Sequence, residues 1–286
     1  MEKYKKLEIH DFKDFKYKIK YEKGVLTLHL TSWVVFHKVV QKFKNNPDYI
    51  WRGQRCYPEE FNNEKKTKEW KLISSFYRKF SEEKNKKQKL NQIHCGITQS
   101  LKNLSNTYNI NYSKKDEIWA IGQHHGLPTP LFDWSEDPYI AAYFAFNEKS
   151  NKNQLENTEN RVIYALNKVV KLLIIKEKDI ITKKLLSRQR NIEFDFDISK
   201  NNLRLIKQKS KFTKAFKGDD IKSIVEKFYD KTKNKYKNKI ILVEILIPDK
   251  ERNECLITLK TKKITKEYLF PNDLGEEYDK YLNRTN

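Results

Sequence analysis

Residues 24–30, GVLTLHL, alternate in the two-residue period of a strand. The period then changes. Trp33, Phe36, Val40 and Phe43 recur at helical spacing behind Ser32, a residue suited to capping a helix start. A short apolar strand, Tyr49-Ile50-Trp51, runs directly into Arg52. EWKLISSFYRKF (69–80) reads as a helix or a strand-to-helix junction, and Leu90, Ile93, Ile97, Leu101 and Leu104 fall on one helical face. Ser113 and Asp116 predict a capping box opening the helix DEIWAIGQHH, with Gly126 as its C-cap. Pro128 and Pro130 keep the next residues extended, and Asp137-Pro138 predicts the start of the helix PYIAAYFAFN. Residues 127–136 are thus expected to be a stiff extended connector between two helices.

Beyond a polar loop (147–160), RVIYAL (161–166) and IILVEILIP (240–248) read as strands. IEFDFDI (192–198) alternates strictly, with Glu193, Asp195 and Asp197 on one face. With no histidine beside it, that acidic row reads as a solvated face rather than a metal site. LITLK (256–260) and EYLF (267–270) are expected to be short strands. No repeat and no shift in composition divides the chain. The expected fold is a single α+β domain over 31–286, with a mixed or antiparallel central sheet packed by helices. A strand-rich extension (1–30) precedes it.

Composition narrows the functional classes. The 286 residues are 38% hydrophobic with only 7 Gly and 7 Pro, enough apolar content for a folded core. No apolar run approaches the roughly 18 residues of a membrane span. The charged N-terminus does not resemble a signal peptide, and Cys56, Cys95 and Cys255 are scattered without CxxC spacing. A cytoplasmic location with reduced thiols is expected. The net charge of +21 invites a nucleic-acid partner. Only nine of the 59 basic residues are arginine, however, and the lysine runs at 82–89 and 230–239 lack interleaved aromatics beyond Tyr236. Solvated loops are the favoured reading, and a nucleic-acid-binding or sensor surface is the alternative.

Candidate chemistry concentrates in 122–146, GQHHGLPTPLFDWSEDPYIAAYFAF. Asp133 lies between Phe132 and Trp134, so partial burial and a partner are expected; Arg52, His124 and backbone N–H groups are nearest to hand. His124 and His125 end a helix, where the dipole favours a protonated ring. Ser135 suits either a cap or a ligand contact. Arg52, between an apolar strand and Gly53, is placed for bidentate capture of a phosphate or carboxylate, or equally for a structural ion pair. No GxGxxG, P-loop, GxSxG or HExxH motif occurs.

Taken in order, WRGQ, LISSFYR, QHHGLPTPLFDWSEDPYIAAYFAF, NLRLIKQKSKF, ILVEILIP and YLFPNDLGE resemble the FRG-domain family, named for its F/Y-R-G start. That resemblance runs from about Trp33 to Gly275 and implies a cluster of Arg52, His124, Thr129, Asp133, Ser135, Arg204 and Gln208. Three departures stand out: Pro130 replaces the usual Arg after P-T, Ser135 stands in for Thr, and QKSKF replaces Q-x-G-x-F. The family looks like a bacterial and phage-associated group linked with defence or toxin-like proteins.

A more distant resemblance, to toxin-type ADP-ribosyltransferases, implies NAD as substrate, for ADP-ribosyl transfer or for cleavage. In that reading Arg52, with Gly53 and Gln54, holds the pyrophosphate, and Thr129, Ser135 and Arg204 complete the binding set. Trp51, Trp134 or Tyr143 stacks on nicotinamide. His124 and Asp133 join either Gln208 or Glu244 as the catalytic groups, with Glu244 otherwise facing solvent from its apolar strand. A nucleic acid or protein is the implied target, and a non-catalytic protein-interaction domain is a further alternative.

Overall fold

The structure, a computed structural model, describes residues 7–12, 18–44, 46, 48–61, 64–103, 115–124, 126–149, 159–168, 192–194, 203–215, 218–231 and 239–271. Ser113, Leu104, His125, Asp195, Asp197 and most of the second lysine run lie outside these residues. Eight strands among the described residues form one sheet: β1 (Lys18–Glu22), β2 (Val25–His29), β3 (Tyr49–Gln54), β4 (Leu131–Ser135), β5 (Asn160–Asn167), β6 (Ile192–Phe194), β7 (Ser210–Ala215) and β8 (Leu242–Pro248). Their order is β1-β2-β8-β5-β3-β4-β7-β6, and β2–β8 is a parallel pair within otherwise antiparallel ladders. The N-terminal strands are therefore built into the same sheet as the rest.

Both faces of the sheet are covered, which explains why its central strands read as apolar runs. One face buries Tyr49, Trp51, Ile163, Ala165, Val243, Ile245 and Ile247 under α1 (Trp33–Phe43), α6 (Pro138–Phe146) and α9 (Arg252–Thr261). The other buries Ile50, Phe132, Trp134, Val162, Tyr164 and Leu242 against Ile221, Ile224, Val225 and Phe228 of α8 (Ile221–Lys231). β2 is accordingly buried on both sides, Leu26 and Leu28 in the first core and Val25 in the second. A third cluster joins Ile97 of α4 (Lys86–Asn103), Ile118 and Trp119 of α5 (Lys115–His124), Leu205 of α7 (Leu203–Lys207), Leu131 and Phe212.

The helix signals around the central motif hold. Gly126 takes φ +78°, and the N–H groups of Gly126 and Leu127 close onto Gln123 O and Gly122 O, ending α5. Asp137 Oδ1 accepts from Tyr139 N at 2.9 Å, with Pro138 opening α6. Three expectations change. Residues 131–135 are not a connector but the interior strand β4. The 69–80 stretch breaks into the end of α2 (Glu64–Trp70) and α3 (Ser75–Lys79). LITLK and EYLF are helical, in α9 and in α10 (Lys266–Leu269). Cys255 and Leu259, four residues apart, are fully buried while Ile257 is 67% exposed, a helical and not a two-residue period. Thr265 caps α10 by accepting from Tyr268 N.

Candidate functional site

The sheet opens at one place. β3 follows β5 along six paired residues, and β4 follows β7 along five, but β3 and β4 meet only at Trp51 and Ser135. Beyond that rung the strands diverge. The opening holds a cavity of about 350 Å³, within the range of small-molecule sites. Its walls include Arg52, Gly53, Gln54 and Arg55 of β3 and its continuation, Asp133 of β4, Gln123 of α5, Phe144 of α6, and Arg204 and Gln208.

Arg52 bridges the opening. Its Nη1 donates to the backbone oxygen of Asp133 at 2.8 Å, and its Nε donates to Gln54 Oε1 at 3.4 Å. Burial pulls the guanidinium below its ordinary pKa, against the opposing charge of Asp133. Asp133 is exposed rather than partly buried, because the diverging strands leave its side chain facing the cavity. Gln54 is buried and fixed by donating to Trp70 O at 2.7 Å. Gly53 points the other way. A Cβ there would lie 1.9 Å from Ala141 O, so only glycine lets α6 lie this close to β3.

Several of the expected ligand residues also make structural bonds, and of these Ser135, Gln208 and Arg204 line the cavity. Thr129 is fully buried; its hydroxyl donates to Gln123 and its backbone pairs with Ser75 and Phe76. Ser135 Oγ donates to Gln208 O at 2.8 Å and accepts from Asp137 N. Gln208 lines the cavity, yet its Nε2 donates to Leu269 O at 3.1 Å. Arg204 stacks over the Phe270 ring at 4.5 Å. Trp51 and Trp134 line the cavity from the core, with the Trp134 indole donating to Thr213 Oγ1, whereas Tyr143 is a core residue away from it. Trp70 and Phe144, the latter 39% exposed, add further aromatic surface to the cavity. His124 ends α5, and its side chain lies outside the described residues.

Glu244 does not face solvent. It is 1% exposed and accepts from Thr27 Oγ1, Tyr57 OH and Lys222 Nζ at 2.9 to 3.1 Å. Burial pushes its pKa up, with Lys222 opposing. The sheet register places it beside Tyr164, which in turn sits beside Arg52, so the pattern that looked like an exposed acid is a buried polar row under α8. Glu244 is not among the residues lining the cavity.

Arg55, Trp70, Gln123, Phe144 and Glu148 also line the cavity and are not singled out by the sequence. One signal was present: in a lysine-dominated chain, arginine is scarce, and three of nine gather here. They are Arg52, Arg55 and Arg204.

Comparison with curated proteins and with solved structures finds no match. The family model of the FRG domain matches residues 47–154, a stretch that runs from β3 through α6 and contains both strands flanking the opening. Residues 47–154 of this chain are an FRG domain.

Proposed function

We propose that the opening between β3 and β4 binds NAD and that the protein breaks the nicotinamide–ribose bond. Nicotinamide leaves with the bonding electron pair as a neutral molecule. Water or an acceptor then attacks the ribose C1′ and gives up its proton, yielding free or transferred ADP-ribose. The observation that carries this reading is the convergence of an exposed carboxylate, Asp133, and a desolvated guanidinium, Arg52, on one cavity of small-ligand size. Arg52 and Arg204 supply charge for the phosphates. In this reading Asp133 stabilises an oxocarbenium-like centre by a charge fixed in advance. Phe144 and Trp70 offer surfaces for stacking.

The test is to incubate the purified protein with NAD labelled separately on the nicotinamide and the adenylate halves, with and without RNA, DNA and lysate protein. Released nicotinamide with adenylate label on water-soluble product or on a macromolecule supports the reading. Retention of intact NAD under every condition, with salt-sensitive nucleic-acid binding instead, supports the non-catalytic alternative.

A further inference from the structure

The lysine runs at 82–89 and 230–239 carry charge with almost no aromatic company. The fold supplies that company elsewhere. Six large hydrophobic side chains are exposed among the described residues, and four of them, Phe144, Leu203, Ile206 and Tyr268, stand on α6, α7 and α10. These helices are neighbours. α7 packs against α10, and Gln208, just past α7, donates from Nε2 to Leu269 O at 3.1 Å. Phe144 of α6 meets Phe270 edge to face, with ring centroids 6.0 Å apart.

Cations are set into this apolar surface. Arg204 lies over the Phe270 ring at 4.5 Å, and Lys207 over the Tyr268 ring at 4.3 Å. Along α7 the three-residue spacing puts Leu203 with Ile206 and Arg204 with Lys207, while Leu205 is buried as the anchor. α7 and α10 contribute Arg204, Lys207 and Lys266 against one carboxylate, Glu267. Phe144 and Arg204 also line the β3/β4 cavity, so this surface begins at its wall.

Rings interleaved with cations suit one polyanion above others. A single nucleic-acid strand offers base faces for stacking and phosphates for charge along one flexible backbone. A duplex keeps its base faces inside the stack and would engage the cations alone. An acidic peptide answers the cations too, but its carboxylates bring no planar group to the rings. The net charge of +21 draws any such strand toward the protein.

We propose that the surface of Phe144, Arg204, Lys207, Tyr268 and Phe270 binds single-stranded nucleic acid, with bases on the rings and phosphates on the cations, and leads the strand to the β3/β4 cavity. The binding stands on this surface alone. Its chemical consequence rests on the NAD reading given above: the strand is then the acceptor. A nucleophilic nitrogen or oxygen of a nucleotide forms the bond to ribose C1′, nicotinamide leaves with the electron pair, and the displaced proton passes to water.

The experiment follows a fluorescent single-stranded oligonucleotide of mixed sequence, as DNA and as RNA, binding to the full chain by anisotropy at several salt concentrations. Binding is expected, weakening with salt by a slope of about 0.7 per phosphate neutralised. Tyr268→Ala should weaken it by about tenfold, the scale of one stacked base. Lys207→Gln should reduce the salt slope by about one phosphate contact. Lys84→Gln with Lys87→Gln, in the first lysine run, should do neither.

A second measurement needs no variant. A strand bearing photoreactive thiouridine, crosslinked to the wild type and mapped by mass spectrometry, should mark peptides containing Phe144, Tyr268 or Phe270. Absence of binding at low salt overturns the proposal, and so do adducts confined to the lysine runs. Displacement of the strand by polyglutamate as effectively as by unlabelled strand of equal charge also overturns it, in favour of an acidic protein partner. Strand binding at this surface without NAD turnover sinks the NAD reading alone, whereas NAD turnover with no strand on this surface sinks only the present proposal.

Discussion

Arg52 Nη1 and the backbone oxygen of Asp133 lie 2.8 Å apart, and this side-chain bond crosses the gap where a sheet ladder would otherwise continue. It positions a guanidinium that spans both walls of the cavity. It also leaves the Asp133 carboxylate unused by the fold, since the bond takes only the backbone oxygen.

For that reason Asp133→Asn should retain NAD affinity and lose turnover, by about 10² to 10³-fold, the typical effect of removing one preorganised charge-stabilising group. Arg52→Ala should instead raise the dissociation constant. Steady-state rates beside direct binding measurements distinguish the two, and an Asp133→Asn protein with full turnover contradicts the assignment.

Glu244→Ala should destabilise the fold by roughly 3 kcal/mol, because it strips a buried carboxylate from Thr27, Tyr57 and Lys222. Activity per folded molecule should be unchanged. Urea unfolding together with turnover at matched folded fraction measures both, and a selective loss of turnover would put Glu244 back among the catalytic groups.

Gln208→Ala should cost about 1 kcal/mol through the lost bond to Leu269 O, with turnover of the bound substrate preserved. Limited proteolysis should cleave near α10 faster in this variant. A large fall in turnover with no change in protease sensitivity would argue the opposite.

Gly53→Ala should destabilise by about 3 kcal/mol, the upper part of the range for overpacking, because the added methyl meets the backbone oxygen of Ala141 rather than a side chain that can turn away. Circular dichroism during urea titration checks it. A neutral result would mean that α6 shifts freely over β3.

His37 is pulled below its ordinary 6.5 by burial and then by the charge of Lys262. The folded chain thus binds this proton more weakly than the unfolded chain, and stability from this group is lost as pH falls below 6.5. His37→Gln should flatten part of that slope in urea unfolding measured across the window. Identical slopes would remove His37 as a contributor.

Much of the fold was legible because its signals are local. Asp137-Pro138 and Gly126 are caps whose geometry needs only near neighbours, and they appear as expected. The C-terminal helices were misread because a run such as LITLK satisfies both periods until the third dimension decides that Ile257 faces outward and Leu259 inward. The candidate site was legible in its parts but not in its roles. Arg52, Asp133 and Gln208 do meet around one cavity. That Thr129 and Ser135 spend their hydroxyls on the frame, and that Glu244 is sealed under α8, depends on strand order, which joins β8 to β5 and β5 to β3 across long stretches of chain.

The solitary rung between Trp51 and Ser135 makes the sheet mechanically a pair of blades. Strands β1, β2, β8, β5 and β3 form one, and β4, β7 and β6 the other, each stiffened by its own continuous ladder. Helix α6 and the core shared by Ile50, Phe132 and Trp134 hold the blades together from either face, and a ligand clasped between Arg52 and the β4 wall would tie them a second time along the open edge.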